Sequence, residues 1–240
     1  MTYTDKYKDK FISVLGDSIS TFEGVSEPNW AAFYNTERKI AANLSAATDT
    51  WWGKVIERLG AKLLVNNSIS GSTVTWHSSY QIQSYGCSDE RTRSLHKDGA
   101  MPNVIIVYLG TNDWGAGVPI SGNKNNGKNN GGNSELAVFS TAYRTMIEKL
   151  RKNYPKAEIW CLTLAVSCFS KSKTFEFPYY NGGWHIVEYC ESIRACAAEN
   201  GCKVIDLYKN AKPYDTIDCF HPNGIGMETI ATAVLENLSI

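Results

Sequence analysis

The sequence predicts an α/β protein in which a mostly parallel, five-stranded sheet is covered by helices on both faces. Three observations predict it. Five short runs rich in apolar and β-branched residues recur along the chain, segments of helical periodicity separate them, and three of the runs stop at short polar, glycine-rich sequences.

The strand-like runs cover residues 11–15, 62–66, 104–109, 158–164 and 203–207. Between the first two, Trp52, Val55, Ile56 and Leu59 recur at helical spacing, with Asp49 or Thr50 placed to cap. A long helix opens at Ser134 and carries Leu136, Phe139, Tyr143, Met146, Ile147 and Leu150 as one stripe, stopping before Pro155. A third helix spans about residues 184–200 with Gly201 as its C-terminal cap, and the last begins near Asn223 with Pro222 suited to its first turn. Neither repeats nor a linker divide the chain, so residues 1–240 read as a single domain. Residues 115–133 stand out as a Gly/Asn-rich loop insertion, long for a compact domain and expected beside any site at the end of the third strand.

Composition removes several function classes. Lys+Arg and Asp+Glu number 24 each, so no net field draws the chain to nucleic acid or an anionic membrane. No apolar run reaches the length of a membrane span. Seven cysteines, none in a C-x-x-C pair and several inside apolar segments, read as buried thiols of a reducing compartment rather than a disulfide or zinc framework. The charged N-terminal stretch has no signal-type apolar region; cytoplasm is the expected address unless a leader has been removed.

In parallel α/β sheets reactive groups collect at the carboxyl ends of strands. That rule selects residues 16–20, 67–73 and 110–114. Ser18 lies just past the first strand, after Gly16 and Asp17. An isolated serine there is most simply a turn cap, and it becomes a nucleophile only with a base to take its proton. Of His77, His96, His185 and His221, only His221 combines a short-range carboxylate, Asp218, with a strand-end-to-helix setting. An acyl-transfer site also needs donors for the developing oxyanion. Gly71 could present its backbone N–H, or be a plain turn glycine. Asn112 could present its amide, or bond its own backbone.

Taken together, Gly16-Asp17-Ser18, the segment around Gly71, Gly110-Thr111-Asn112-Asp113 and Asp218-x-x-His221 resemble the four blocks of the SGNH (GDSL-type) hydrolase family, in family order. The resemblance implies a flavodoxin-like three-layer α/β/α fold. It implies Ser18 as nucleophile, His221 as base, Asp218 as orienting acid, and an oxyanion hole of the Ser18 and Gly71 N–H groups with the Asn112 side chain. It implies no metal or organic cofactor, and scaffold roles for Asp17 and Asp113.

The rival serines Ser20, Ser68 and Ser70 do not follow the Gly-Asp pair. The G-x-S-x-G elbow, the P-loop and H-E-x-x-H are all absent from the sequence. Aromatic residues follow each block: Trp30, Phe33 and Tyr34, then Trp76, Trp114 and the stretch 177–184. Most such residues are core, but Trp76 and Trp114 are the candidates for pocket walls. The expected substrate is a small-molecule or carbohydrate ester with a short acyl group. A thioesterase or lysophospholipase using the same residues, and a non-catalytic ligand-binding protein on the same fold, stay open.

Overall fold

A computed structural model describes residues 3–26, 32–76, 85–121 and 135–238. After a short helix α1 (Tyr3–Tyr7), β1 (Phe11–Gly16) enters the sheet; α2 (Thr36–Ala41) and α3 (Trp51–Arg58) lead to β2 (Lys62–Ser68). Then come α4 (Asp89–Arg93), β3 (Val104–Tyr108), α5 (Thr111–Gly115), α6 (Phe139–Asn153) and β4 (Glu158–Leu162). Three short strands, β5 (Ser167–Cys168), β6 (Tyr180–Asn181) and β7 (Trp184–His185), precede α7 (Ile186–Glu199) and β8 (Lys203–Ile205). The chain closes with α8 (Leu207–Asn210), β9 (Tyr214–Asp215) and α9 (Gly224–Leu238).

The main sheet runs β2-β1-β3-β4-β8, every neighbouring pair parallel. This is the expected five-stranded α/β fold, with the flavodoxin-like strand order. The chain leaves β1 toward β2 on one side and returns to β3 on the other, so the connections diverge and open a crevice beyond the carboxyl ends of β1 and β3.

Alternation along the strands builds two cores. On one face Ile12, Val14, Ile106 and Leu162 pack with Trp51, Trp52 and Val55 of α3 and Met227, Ile230 and Val234 of α9. On the other, Leu15, Ile105, Val107 and Cys161 pack with Phe139, Tyr143 and Ile147 of α6 and Tyr189, Ile193 and Ala197 of α7. A parallel strand buried on both faces has no polar side, which is why these runs read as continuously apolar.

Several boundaries move, each for a local reason. Thr50, not Asp49, caps α3, its side chain accepting from Gly53 N–H; the Asp49 carboxylate instead accepts from Ser45 and Ala46 N–H. The stripe expected to begin at Ser134 starts helically only at Phe139. Ser134 lies outside the described residues, and residues 135–137 form a separate 3-10 turn. Val138 is extended there, and the first N–H groups of α6 are satisfied by the Pro119 and Ile120 carbonyls. The third helix begins after Trp184 and His185, which pair with β6 instead. The last helix starts at Gly224, and Asn223 caps it by accepting from Gly226 N–H at 3.0 Å, so Pro222 stands ahead of the first turn rather than in it. The fifth strand ends at Ile205 because Asp206 already caps α8. The fourth stops at Leu162, and Thr163 N–H still reaches the Ile205 carbonyl.

Candidate active site

Ser18 leads a single 3-10 turn (Ser18–Ser20) capped by Asp17, whose carboxylate accepts from Ile19 N–H at 3.0 Å. Gly16 just before it is required by space rather than by an unusual backbone. A Cβ there would lie 2.7 Å from the Ser20 side chain and 2.8 Å from Ser68 Oγ. The turn holds the Ser18 side chain mostly covered, 7% exposed, at the crevice.

From the far end of the chain, His221 Nε2 comes within 2.9 Å of Ser18 Oγ, and His221 Nδ1 lies 2.8 Å from Asp218 Oδ2. Asp218 Oδ1 also accepts from the N–H groups of Phe220 and His221, at 3.1 and 2.8 Å. Burial pushes the Asp218 carboxyl up, but these bonds and the imidazole outweigh it and hold the group below the usual carboxylate range. An ionised carboxylate only accepts, so Nδ1 carries the ring proton and Nε2 turns its lone pair toward the serine hydroxyl. The three residues expected to act together are therefore assembled in one hydrogen-bonded series.

The loop carrying Asp218 and His221 is braced from several sides. Ser167 Oγ donates to the Cys219 carbonyl, Thr216 Oγ1 to the Cys168 carbonyl, and Asn223 Nδ2 to Asp215 Oδ2, whose carboxylate also takes both the N–H and the hydroxyl of Ser170. Phe33 stacks face to face on the His221 ring, centroids 3.4 Å apart and planes 10° apart. The Arg38 guanidinium lies over the same phenyl ring at 4.4 Å, and with the imidazole covering one face it takes the other. Tyr34 donates to the Pro222 carbonyl at 2.7 Å, so residues 33 and 34 grip the histidine and its neighbour together.

Gly71 and Asn112 are brought to the same crevice. Gly71 has φ +77, a left-handed conformation that glycine adopts freely, and a Cβ on it would meet nothing within 4 Å. Gly71 thus sits exposed at an open turn. Asn112, in the first turn of α5, donates one amide hydrogen to the Ser72 carbonyl at 2.9 Å, which ties it to the turn of Gly71. Asp113 is fully buried and accepts from Val74 N–H, Thr75 N–H and the Thr75 hydroxyl, fixing the segment after Gly71 against α5.

Arg91 is a residue of this site that no motif or spacing singles out. Its run, DERTR, holds four charged residues, yet the Arg91 side chain is 0% exposed. Its Nη2 donates to the carbonyls of Gly16 and Asn67 at 2.9 and 2.8 Å, its Nη1 to Ser72 Oγ at 2.7 Å, and its Nε to Asn67 Oδ1. Burial draws its pKa down to about 9, which leaves the guanidinium charged near neutrality. Burial also raises the carboxyl of Asp17 to about 7, against the pull of Ile19 N–H and the Arg91 charge.

The two tryptophans proposed as pocket walls have different settings. Trp114 is 2% exposed and belongs to the second core, its ring stacked on Phe177 at 5.3 Å. Trp76 is half-buried, with its backbone N–H on the Leu136 carbonyl. Trp30 and His77 lie outside the described residues, as does most of the Gly/Asn-rich insertion, residues 122–134. Among the other histidines, the His185 ring caps α7 by accepting from Val187 N–H, and His96 contacts the Arg93 carbonyl. No cluster of three or more His, Cys, Asp or Glu suited to a metal occurs among the described residues. The seven cysteines are free thiols, with 87, 161, 190 and 196 buried. Among the described residues no helix is long and apolar enough to cross a membrane.

A flavodoxin-like sandwich with serine, imidazole and carboxylate in series at its topological switch point has the form of a lipase or esterase. The chain belongs to the GDSL-like lipase/acylhydrolase family, whose model matches residues 10–168. Among solved structures it is similar to a candidate GDSL-like lipase of Bacteroides ovatus, with 27% identity, a TM-score of 0.68, and 97% of this chain and 99% of that one covered. A second candidate GDSL-like lipase, from Bacteroides uniformis, shows 28% identity and a TM-score of 0.69 over 96% of both chains. A family two carbohydrate esterase of Clostridium thermocellum shares the fold at 17% identity and a TM-score of 0.58, over 97% of this chain and 64% of that one. No curated protein matches the sequence. The family match ends before Asp218 and His221, so what joins these two to Ser18 is the fold.

Proposed function

We propose that this chain is a serine ester hydrolase that works through an acyl-enzyme on short acyl esters. One observation carries the reading: the unbroken series from Ser18 Oγ through the His221 ring to Asp218, at 2.9 and 2.8 Å. Ser18 Oγ attacks the ester carbonyl carbon while His221 Nε2 takes the hydroxyl proton, and Asp218 holds the imidazolium that forms. The carbonyl oxygen, now negative, is met by the N–H groups of Ser18 and Gly71 and by the Asn112 amide. Collapse of the tetrahedral species breaks the bond to the alcohol, which leaves with the proton from His221. A water molecule then repeats the sequence on the acyl-enzyme and frees the acid and Ser18.

Support for a sugar-borne acyl group comes from the aromatic rings around the crevice, since flat faces beside polar groups suit pyranose rings. Phe177, half-buried over Trp114, and the exposed Tyr179 beside it are the rings so placed; Phe33, covered on both faces by His221 and Arg38, is not. The same fold serves a carbohydrate esterase, which agrees with this substrate class.

The test is covalent labelling by a fluorophosphonate together with turnover of a nitrophenyl ester series and acetylated sugars. Wild type should be labelled and Ser18→Ala should not, while Ser18→Ala and His221→Ala should each lose about a thousandfold or more in kcat. Full esterase activity in Ser18→Ala would remove the mechanism, and a preference for long acyl chains or thioesters would replace the substrate class.

A further inference from the structure

We infer that Arg91 is a positioning residue of the oxyanion hole, holding the Gly71–Ser72 turn at a fixed distance from Ser18 through the guanidinium fork. The inference rests on the esterase reading above. A guanidinium presents its donors in one rigid plane, so three or four bonds made at once fix the relative positions of everything that accepts them. The acceptors here lie in two of the three segments that build the crevice, 16–20 and 67–73, and the third is reached through Ser72. Gly16 O is two residues from the nucleophile, Asn67 closes β2, and Ser72 follows the Gly71 amide. Ser72 is held twice, since its hydroxyl accepts from Arg91 and its carbonyl accepts from Asn112 Nδ2. A single chain of hydrogen bonds, Gly16–Arg91–Ser72–Asn112, therefore spans all three oxyanion donors.

A purely structural arginine would be expected at the surface, with its charge in water. Burying a cation beneath a turn is costly unless its bonds are made, and they are made here to backbone and side-chain oxygens of the site itself.

The experiment compares Arg91→Lys and Ser72→Ala with Ser13→Ala, a buried serine on β1 whose hydroxyl donates to the Leu95 carbonyl outside the crevice. Arg91→Lys keeps a charge and loses the fork; Ser72→Ala keeps the arginine and cuts its link to the turn. Melting temperature, kcat, KM and the rate of fluorophosphonate labelling are measured for each, because the P=O oxygen of that probe occupies the oxyanion position. Misplacing the donors should lower kcat about 10- to 100-fold in both variants, with KM within about threefold and labelling slowed in parallel. Ser13→Ala should lose stability and keep its kcat. If Arg91→Lys does not fold, Ser72→Ala alone decides. A folded Ser72→Ala with wild-type kcat and labelling rate overturns the inference, as does a kcat loss in Ser13→Ala equal to that in the other two. Ser18→Ala run alongside separates this from failure of the esterase reading, which would show as hydrolysis surviving without Ser18.

Discussion

Between Asp218 and His221 the backbone turns through Cys219 at φ +80, in the left-handed region that non-glycine residues avoid. Its N–H and carbonyl are held by Thr216 and Ser167, so nothing about its side chain sets the turn. Cys219→Gly should relieve about 1 kcal/mol of strain and lose a comparable amount to the freer unfolded chain. Stability should therefore stay within about 1 kcal/mol of wild type, with kcat preserved. Cys219→Val, branched at Cβ, should cost about 2 kcal/mol and lower kcat by moving Asp218. Thermal melts and ester turnover read both. At this scale the sequence was informative where a residue type is scarce: four histidines, one with an acid three residues before it. It was silent on Phe33 as the plate beneath His221 and on Arg91 as a buried cation. Both are contacts across the fold that no local spacing encodes.

The β6–β7 hairpin shows how an element is seated. Gly182 and Gly117 approach so closely that a Cβ on either would lie 2.4 or 2.7 Å from the other's Cα, and Asn181 Nδ2 donates to the Gly115 carbonyl at 2.7 Å. The hairpin thus rests directly on the chain leaving α5, the helix that carries Asn112. Gly182→Ala, strained by its φ of +56 as well as by the contact, should cost about 1–3 kcal/mol. It should also raise KM, because the hairpin seats the chain leaving α5, the helix of Asn112; a denaturation curve and a substrate titration measure the two effects. The core strands and the stripe of α6 were legible because apolar runs and helical periods survive in sequence. Their ends were not. The donors that delay α6 to Phe139 find their acceptors at Pro119 and Ile120, twenty residues away, and the pairing of Trp184 with Asn181 needs a turn of two glycines.

Across the whole molecule, two carboxyl groups, Asp17 and Asp113, lie buried behind the crevice, both raised chiefly by burial. For Asp17, at about 7 in the fold against an ordinary value of 3.8, the native state holds a proton that the unfolded chain has already released between those values. Stability attached to this group is therefore full below pH 4, falls as pH rises toward 7, and is level beyond. Urea midpoints from pH 4 to 8 should show that slope in wild type and a flatter one in Asp17→Asn, the difference being on the order of a few kcal/mol at pH 8. The parallel sheet and the gathering of polar motifs at its strand ends were readable from the alternation of elements, while the flavodoxin-like order was implied by the family resemblance alone. The two separate cores, one under α3 and α9 and one under α6 and α7, follow from strands buried on both faces.

The proposed nucleophile and base are 203 residues apart in the chain, and His221 arrives on the loop that introduces α9. On a growing polypeptide, Ser18 and the sheet strands that shape its surroundings are made first, while the imidazole that would arm it has not yet been added. On the proposed reading Ser18 stays inert until α9 has been made and has closed over the first core, drawing His221 onto the waiting serine.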